Sequence, residues 1–542
     1  MKTSLSDISP SARTAPNQLA EQFDSTEADV LSLVVLWSAR EPGRVGEVAL
    51  LPAEYPVWLF GRDPEQPIAD SVQRASAVAG FAESEESRPS ASSPTGRANG
   101  IVRFVRQRPD GLGAVEPPRA LAGESISRLQ LHMSHREEGL FTQNVGRCAL
   151  LVNGQPTQAA MIHPGDTLYL RNQLLLLCIR RPLRLPPLRA YVKDRLRDFG
   201  LPDVDGMIGE SPAMWHLRER LAACARSDQN VLVVGESGSG KELAAQAIHA
   251  MSVRREKPLV ADNISAIPSS LAVALLFGNK RNFPNPGMEE RVGLIGAADG
   301  SMLFLDEIGD MPEEVQPMFL RVAERNGEYF RLGEEGRIRR SDFRLIGATN
   351  RPERMRYELK RRFQREIRVP SLNERKEDIP LLIGHLLELQ ARQGDPNVLG
   401  FFDPQTQRPR VHPLLIEQLV RHTYVTNVSE VEFLLGHAMA ESAGDVLAPI
   451  RGSLPQQGRP MRPESSPSLP LHPVPLRRLV PVIPTPERAQ QALDDARFQM
   501  GQLIEPIIVE DDKLLKLIVK LVEATGASFA ASMNNEEDLN LD

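Results

Sequence analysis

The sequence predicts a multidomain protein. An N-terminal β-sandwich is followed by a central α/β domain with a parallel sheet and a helical lid, then a short helical C-terminal segment. Three observations carry this. Between residues 30 and 183, short apolar runs are broken by turn residues; from about 207 to 373, apolar runs alternate with helical stretches; and 374–442 repeats its apolar residues at helical spacing. A chain of 542 residues has room for three to four folded units.

Composition narrows the class further. With 41% hydrophobic and 25% charged residues, the chain is neither wholly disordered nor fibrous. The apolar runs at 31–37 and 174–178 fall far short of the ~20 residues a membrane helix needs. The opening MKTSLSDISPSARTAPNQ has no apolar core after its lysine, so no secretory signal is expected. Cys148, Cys178 and Cys224 show no metal-ligand spacing, and three cysteines in so long a chain fit a reducing cytoplasm.

Residues 1–29 are polar and expected to lack structure. In the sandwich segment, 30–183, LSLVVLW (31–37), VWLFG (57–61), CALLVNGQ (148–155) and DTLYLRNQLLLLCI (166–179) read as strands, with Asn153-Gly154 and Pro164-Gly165-Asp166 as turns. AESEESRPSASSPTGRAN (82–99) is low-complexity and reads as a surface insertion. A Pro- and Arg-rich connector, 184–206, leads to the α/β domain, 207–373. There VLVVG precedes KELAAQAIHAMS, SMLFLDE precedes EEVQPMFLRVAER, and FRLIGATN precedes a basic segment. The lid, 374–442, contains IPLLIGHLLELQAR and HPLLIEQLVRH. Residues 443–487 form a linker in which 11 of the 44 prolines fall between 449 and 486. The segment 488–542 has one amphipathic stretch at 513–523, with Leu514, Leu517, Ile518 and Leu521 on one face.

The strongest chemical signal is Gly235-Glu236-Ser237-Gly238-Ser239-Gly240-Lys241, a G-x-x-x-x-G-K loop between an apolar strand and a helix. Its glycines let backbone N–H groups turn inward onto phosphate oxygens, the helix N-terminus adds positive potential, and Lys241 reaches the β and γ phosphates. Glu242 stands where Ser or Thr commonly helps to hold magnesium. Some 65 residues on, the apolar run 302–305 ends in Asp306-Glu307. Asp306 is suited to holding Mg2+ or its waters and Glu307 to polarising an attacking water. ATP with Mg2+ is therefore the expected ligand.

GESGSGKE, LFLDEIGDM, RLIGATNRP and ERKEDIPLL closely resemble the AAA+ ATPase domain of bacterial sigma-54-dependent transcriptional activators, over about 207–440. The resemblance implies an oligomeric ring, usually a hexamer, with ATP sites between subunits. It also implies that Thr349 and Asn350 read the γ-phosphate and that Asn263 restrains the catalytic glutamate. Arg356 is the implied arginine finger acting in trans, with Arg362 (or its neighbour Arg361) as a second. Two departures weigh on mechanism. Where the family's GAFTGA loop contacts sigma-54, this chain reads Asn282-Phe283-Pro284-Asn285-Pro286-Gly287, which argues against the usual sigma-54 contact. The lid's G-N-V-R-E-L becomes Thr426-Asn427-Val428-Ser429-Glu430-Val431, so Ser429 replaces the sensor II arginine and supplies no charge. Nucleotide binding is expected to survive this, while hydrolysis or its coupling to the lid is weakened.

VWLFGR (57–62), Ser127-Arg128-Leu129-Gln130 and Val152-Asn153-Gly154 resemble the forkhead-associated (FHA) domain, a sandwich that binds phosphothreonine, with Gln130 in place of the family's histidine. Arg62 and Arg128 can make charge-assisted bonds to a phosphate dianion, with Ser127 and Asn153 adding hydrogen bonds. At the other end of the chain, 513–532 resembles the start of a helix-turn-helix, but no basic recognition helix follows. Residues 501–542 carry a net charge of −6 out of the chain's −7, which argues against DNA binding by this end. Two classes therefore stand: a phosphothreonine-controlled ATPase regulator, and a hydrolysis-poor scaffold that binds ATP and phosphoproteins without remodelling sigma-54. Lys241, Asp306 and Glu307 favour the first; the loop at 282–287 and Ser429 favour the second.

Overall fold

The α/β segment builds a five-stranded, wholly parallel sheet, and the N-terminal segment builds two further sheets that are antiparallel apart from one edge pair. The computed structural model describes residues 29–62, 99–109, 119–121, 123, 125–283, 285–323, 327–334, 336–452 and 454. The expectations for 1–28, for the insertion at 82–98, for the proline-rich linker beyond 454 and for the C-terminal helix lie outside these residues. So does the whole of a second unit, Met461–Asp542; everything below belongs to the first, Met1–Pro460.

The N-terminal strands are β1 (Val30–Ser38), β2 (Val48–Leu51), β3 (Val57–Phe60), β4 (Gly100–Ile101), β5 (Leu131–Arg136), β6 (Gly139–Asn144), β7 (Leu150–Val152), β8 (Gln155–Thr157), β9 (Ala159–Ile162), β10 (Thr167–Leu170) and β11 (Leu174–Arg181). They form a six-stranded sheet, β2-β1-β11-β10-β7-β8, and a five-stranded sheet, β4-β3-β5-β6-β9. A core of Leu33, Val35, Trp58, Phe60, Met133, Leu140 and Leu176 joins the two. The unbroken apolar run in β11 has a direct cause. Leu174, Leu176 and Cys178 enter the sandwich core, while Leu175 and Leu177, pointing the opposite way, enter the core of the lid. The six-stranded sheet is covered on both faces.

The central domain follows with α1 (Pro212–Ala225), β12 (Val231–Val234), α2 (Lys241–Ala250), β13 (Val260–Asn263), α3 (Ser269–Phe277), β14 (Met302–Asp306), α4 (Gln316–Val322), β15 (Glu328–Tyr329), β16 (Arg339–Arg340), β17 (Arg344–Thr349) and β18 (Arg365–Arg368). Strand order is β13-β14-β17-β12-β18. The chain leaves β12 to one side and returns on the other, so a crevice opens at the carboxyl ends of β12, β14 and β17, where α/β sheets bind ligands. The lid helices are α5 (Ile379–Arg392), α6 (Pro413–Arg421) and α7 (Asn427–Glu441). Leu382, Ile383, Leu386, Leu415, Leu419, Leu434 and Leu435 fill the space between them. Among the described residues no helix is long and apolar enough to cross a membrane.

Candidate nucleotide site

The loop at 235–240 begins where β12 ends and closes onto the first turn of α2. Gly238 and Gly240 sit at φ +68° and +102°, a region that side chains other than glycine's rarely adopt. Gly238 is constrained twice, because a Cβ there would also be driven into the carbonyl oxygen of Thr426. Gly238→Ala is therefore expected to weaken nucleotide binding by at least about tenfold, read by titration with a fluorescent ADP analogue.

Lys241 is buried, and its Nζ donates to the carbonyl oxygens of Gly235 (3.2 Å) and Glu236 (3.3 Å). It also lies 3.5 Å from Glu307 Oε1. Glu307 follows β14 directly and is held at φ +49°, a strained conformation for a residue with a side chain. Its other oxygen, Oε2, accepts a hydrogen bond from the backbone N–H of Asn350 (3.2 Å). Asp306 Oδ1 accepts from the backbone N–H of Glu307 (2.9 Å), and burial raises its carboxyl above the usual range, with the neighbouring Glu307 charge adding to the effect. The oxygen-only set of Asp306, with Glu242 close enough to act on its charge, suits a hard cation such as Mg2+.

Asn263, Thr349 and Asn350 each have defined partners at the carboxyl ends of β13, β14 and β17. Asn263 Nδ2 reaches Asp306 Oδ2 at 3.4 Å, beside Glu307, and its Oδ1 accepts from the N–H and hydroxyl of Ser265. Register explains this: Asn263 and Asp306 face each other across the β13–β14 pair. Thr349 is fully buried, with its hydroxyl accepting from the N–H of Arg351 (3.0 Å), while Asn350 is exposed at the mouth of the crevice. Ser239 is also buried, its hydroxyl packed under Gly235. Ser237 and Glu236 are engaged by the lid, where Asn427 donates to the Ser237 carbonyl and to Glu236 Oε2.

The candidate fingers have partners outside this loop. Arg356 pairs with Glu313 at 3.2 Å, on the surface. Arg362 lines a cleft of about 610 Å³ with Arg254 and Arg361, and its carbonyl accepts from Asn230, which precedes β12 at the end opposite the phosphate loop. In the loop at 282–287, Asn282 takes φ +59°, its N–H donates to the Met288 carbonyl (2.8 Å), and its side chain accepts from Gly287 N–H (2.9 Å). This is a closed turn, with Phe283 lying against Gly333.

On the sandwich, Arg62 N–H donates to the Ser127 carbonyl (3.1 Å). Gly61 has no room for a side chain against Arg128, so the Gly-Arg and Ser-Arg marks meet at the end of β3. Gln130, fully buried, ties this corner: Oε1 accepts from Ser127 N–H (3.1 Å), and Nε2 donates to Asn144 Oδ1 (2.6 Å) and the Cys148 carbonyl (2.9 Å). Gln130→Ala is expected to lower stability by about 1–3 kcal/mol, because three half-buried partners lose their bonds to this buried amide at once; thermal melting checks it. Asn153 and Gly154 form the β7–β8 turn at φ +51° and +77°. The Asn153 amide is committed to Asp166 (2.7 Å) and Thr167 (3.0 Å), so its side chain stabilises its own sheet.

A phosphate loop after the first strand of a parallel sheet, with an acidic pair ending the strand β14, defines a P-loop nucleotide-binding domain with a helical lid. Residues 207–369 match the Sigma-54 interaction domain. That stretch is an AAA+ domain related to the ZraR and NtrC activators. The chain is 39% identical over 251 residues to the transcriptional regulatory protein ZraR of Escherichia coli (strain K12), covering 45% of this chain and 54% of the relative. It is 39% identical over 251 residues to the DNA-binding transcriptional regulator NtrC of Azospirillum brasilense, covering 44% and 49%. The chain thus spans about half the length of the curated relatives it matches. Among solved structures, NtrX from Brucella abortus in complex with ADP aligns with a TM-score of 0.40 at 29% identity, covering 46% of this chain and 54% of that one.

Proposed function

We propose that this protein is a regulator whose AAA+ domain binds and hydrolyses ATP in an oligomeric ring, under the control of a phosphothreonine-reading N-terminal sandwich of FHA type. The observation that carries it is the convergence of Lys241, at the start of α2, with Asp306 and Glu307, at the carboxyl end of β14, Lys241 and Glu307 being 3.5 Å apart. Lys241 and the loop N–H groups hold the phosphates; Asp306 holds Mg2+, which supplies charge neutralisation on the transferring phosphoryl group. Glu307, fixed by Asn350 N–H, takes a proton from the attacking water. Arg356 and Arg362 act on a neighbouring subunit's site, which the contact of Arg362 with Asn230, at the end of β12 opposite the phosphate loop, supports. Arg62, Ser127 and Arg128 form the phosphate-reading corner, and cytoplasmic residence follows from the same reading.

A second reading has its own support. Ser429 brings no charge to the site, and its hydroxyl lies over Gly238; Asn282 closes a turn with Gly287 and Met288 where the family's loop contacts sigma-54. Both suit a scaffold that binds ATP, turns it over slowly and makes no sigma-54 contact; DNA binding by the acidic end is likewise not proposed. ATP turnover by the purified chain, with and without a phosphothreonine peptide, separates the two. Turnover above that of Glu307→Gln, raised further by the phosphorylated but not the unphosphorylated peptide, supports the regulator. Turnover equal to that variant leaves the scaffold.

A further inference from the structure

The lid carries Ser429 where the resemblance implies an arginine, yet Asn427, the first residue of α7, makes three side-chain hydrogen bonds at the site. Asn427 is fully buried and held at φ +51°. Its Oδ1 accepts from the N–H of Leu372 (2.6 Å), and its Nδ2 donates both to the Ser237 carbonyl (2.9 Å) and to Glu236 Oε2 (3.1 Å). One amide therefore joins the lid, the segment leading into it and the phosphate loop. The next residue extends the seam, with Val428 N–H donating to the Gly238 carbonyl (3.1 Å). Behind it, buried Glu430 accepts from Val425 N–H (2.7 Å), Thr426 N–H (3.1 Å) and His422 (2.9 Å), which fixes the turn that presents Asn427.

We infer that Asn427 is a positioning residue for nucleotide binding: its uncharged amide shapes residues 236–238 of the phosphate loop through hydrogen bonds, without placing a charge on the phosphate. This rests on the nucleotide reading above. A P-loop binds phosphate through backbone N–H groups, so the path of its backbone sets its affinity. The carbonyls of Ser237 and Gly238 are the outer faces of the peptides that bear those N–H groups, and the lid holds both. Lid movement then reorders the loop, coupling lid position to nucleotide affinity as two ends of one equilibrium.

The charge pattern gives the test a specific signature. Asn427→Asp sets a carboxylate against the Glu236 carboxylate and removes both donors. ADP affinity, read with a fluorescent ADP analogue, is expected to fall by about tenfold or more. Adding Glu236→Gln supplies a donor to the new carboxylate, so the double variant should recover part of the loss, a non-additivity that a merely structural defect does not produce. Asn427→Gly keeps the left-handed backbone without the amide and should show the same weakened binding, with a nucleotide-free melting temperature confirming that it folds. The expected kinetic pattern is a raised KM for ATP with a smaller change in kcat. Unchanged ADP affinity in Asn427→Asp and Asn427→Gly overturns the inference while the nucleotide reading stands. A wild-type chain that binds no ADP overturns both.

Discussion

Lys241→Ala is expected to abolish ATP binding and turnover, whereas Glu307→Gln should bind ATP like the wild type and lose about 100-fold or more in kcat. The two groups are 3.5 Å apart but do different chemistry. Lys241 is a buried cation that also donates to two carbonyl oxygens of its own loop, which aims its ammonium at the place where phosphate sits in a loop of this kind. Removing it deletes an interaction made with ground state and transition state alike. Glu307 faces the site with one oxygen while Asn350 N–H holds the other. Glutamine keeps that shape and the acceptor for Asn350 but is no base at neutral pH, so binding persists and the chemical step fails. The measurement is ATP affinity and steady-state turnover on the same preparations. A Glu307→Gln variant with wild-type kcat removes the hydrolytic role, and equal loss of binding in both variants contradicts the division of labour.

What could be read from the sequence follows a physical rule. The phosphate loop, the acidic strand end and the alternation of strands with helices are contiguous in the chain, and each has a local cause: glycine for positive φ, apolar runs for buried strands, helical spacing for the lid. The residues that tie these pieces together are not contiguous. Asn427 meets Glu236 across 191 positions, and Thr167 meets Glu417 across 250, so neither pair leaves a periodicity or a spacing to detect. Gln130 looked like a lost histidine, but its amide offers both an acceptor and a donor, which is what the corner at Ser127, Asn144 and Cys148 uses. Thr349 is the last residue of β17, a strand buried along its whole length, while Asn350 follows it in the bend where the chain leaves the sheet, so one is buried and the other exposed. The continuous run Leu174–Leu177 was legible as a strand, though nothing in it announced that its second face meets the lid.

That second face leads to an expectation for the molecule as a whole: Leu177→Ala, a change in the sandwich, should destabilise the lid. Leu175, Leu177, Tyr169 and Leu36 share one buried cluster with Ile383, Leu415, Ile416 and Leu419. Truncating a fully buried leucine costs about 2–5 kcal/mol through lost transfer energy and the cavity left behind. Polar contacts pin the register of this seam: the Thr167 hydroxyl donates to Glu417 Oε1 (2.5 Å), and Arg421 donates to the Asn153 carbonyl (3.0 Å). Thr167→Val keeps the volume but strips buried Glu417 of this hydroxyl, at a cost of about 1–3 kcal/mol. Because the lid's α7 also holds the phosphate loop, a loosened seam should reach the nucleotide. Calorimetric unfolding is expected to show sandwich and lid melting in one transition, lowered in both variants, with ADP affinity reduced alongside. A lid transition that separates from the sandwich and keeps its wild-type temperature in Leu177→Ala would show that the shared core is not cooperative. The sandwich would then have no mechanical route to the nucleotide site through the lid.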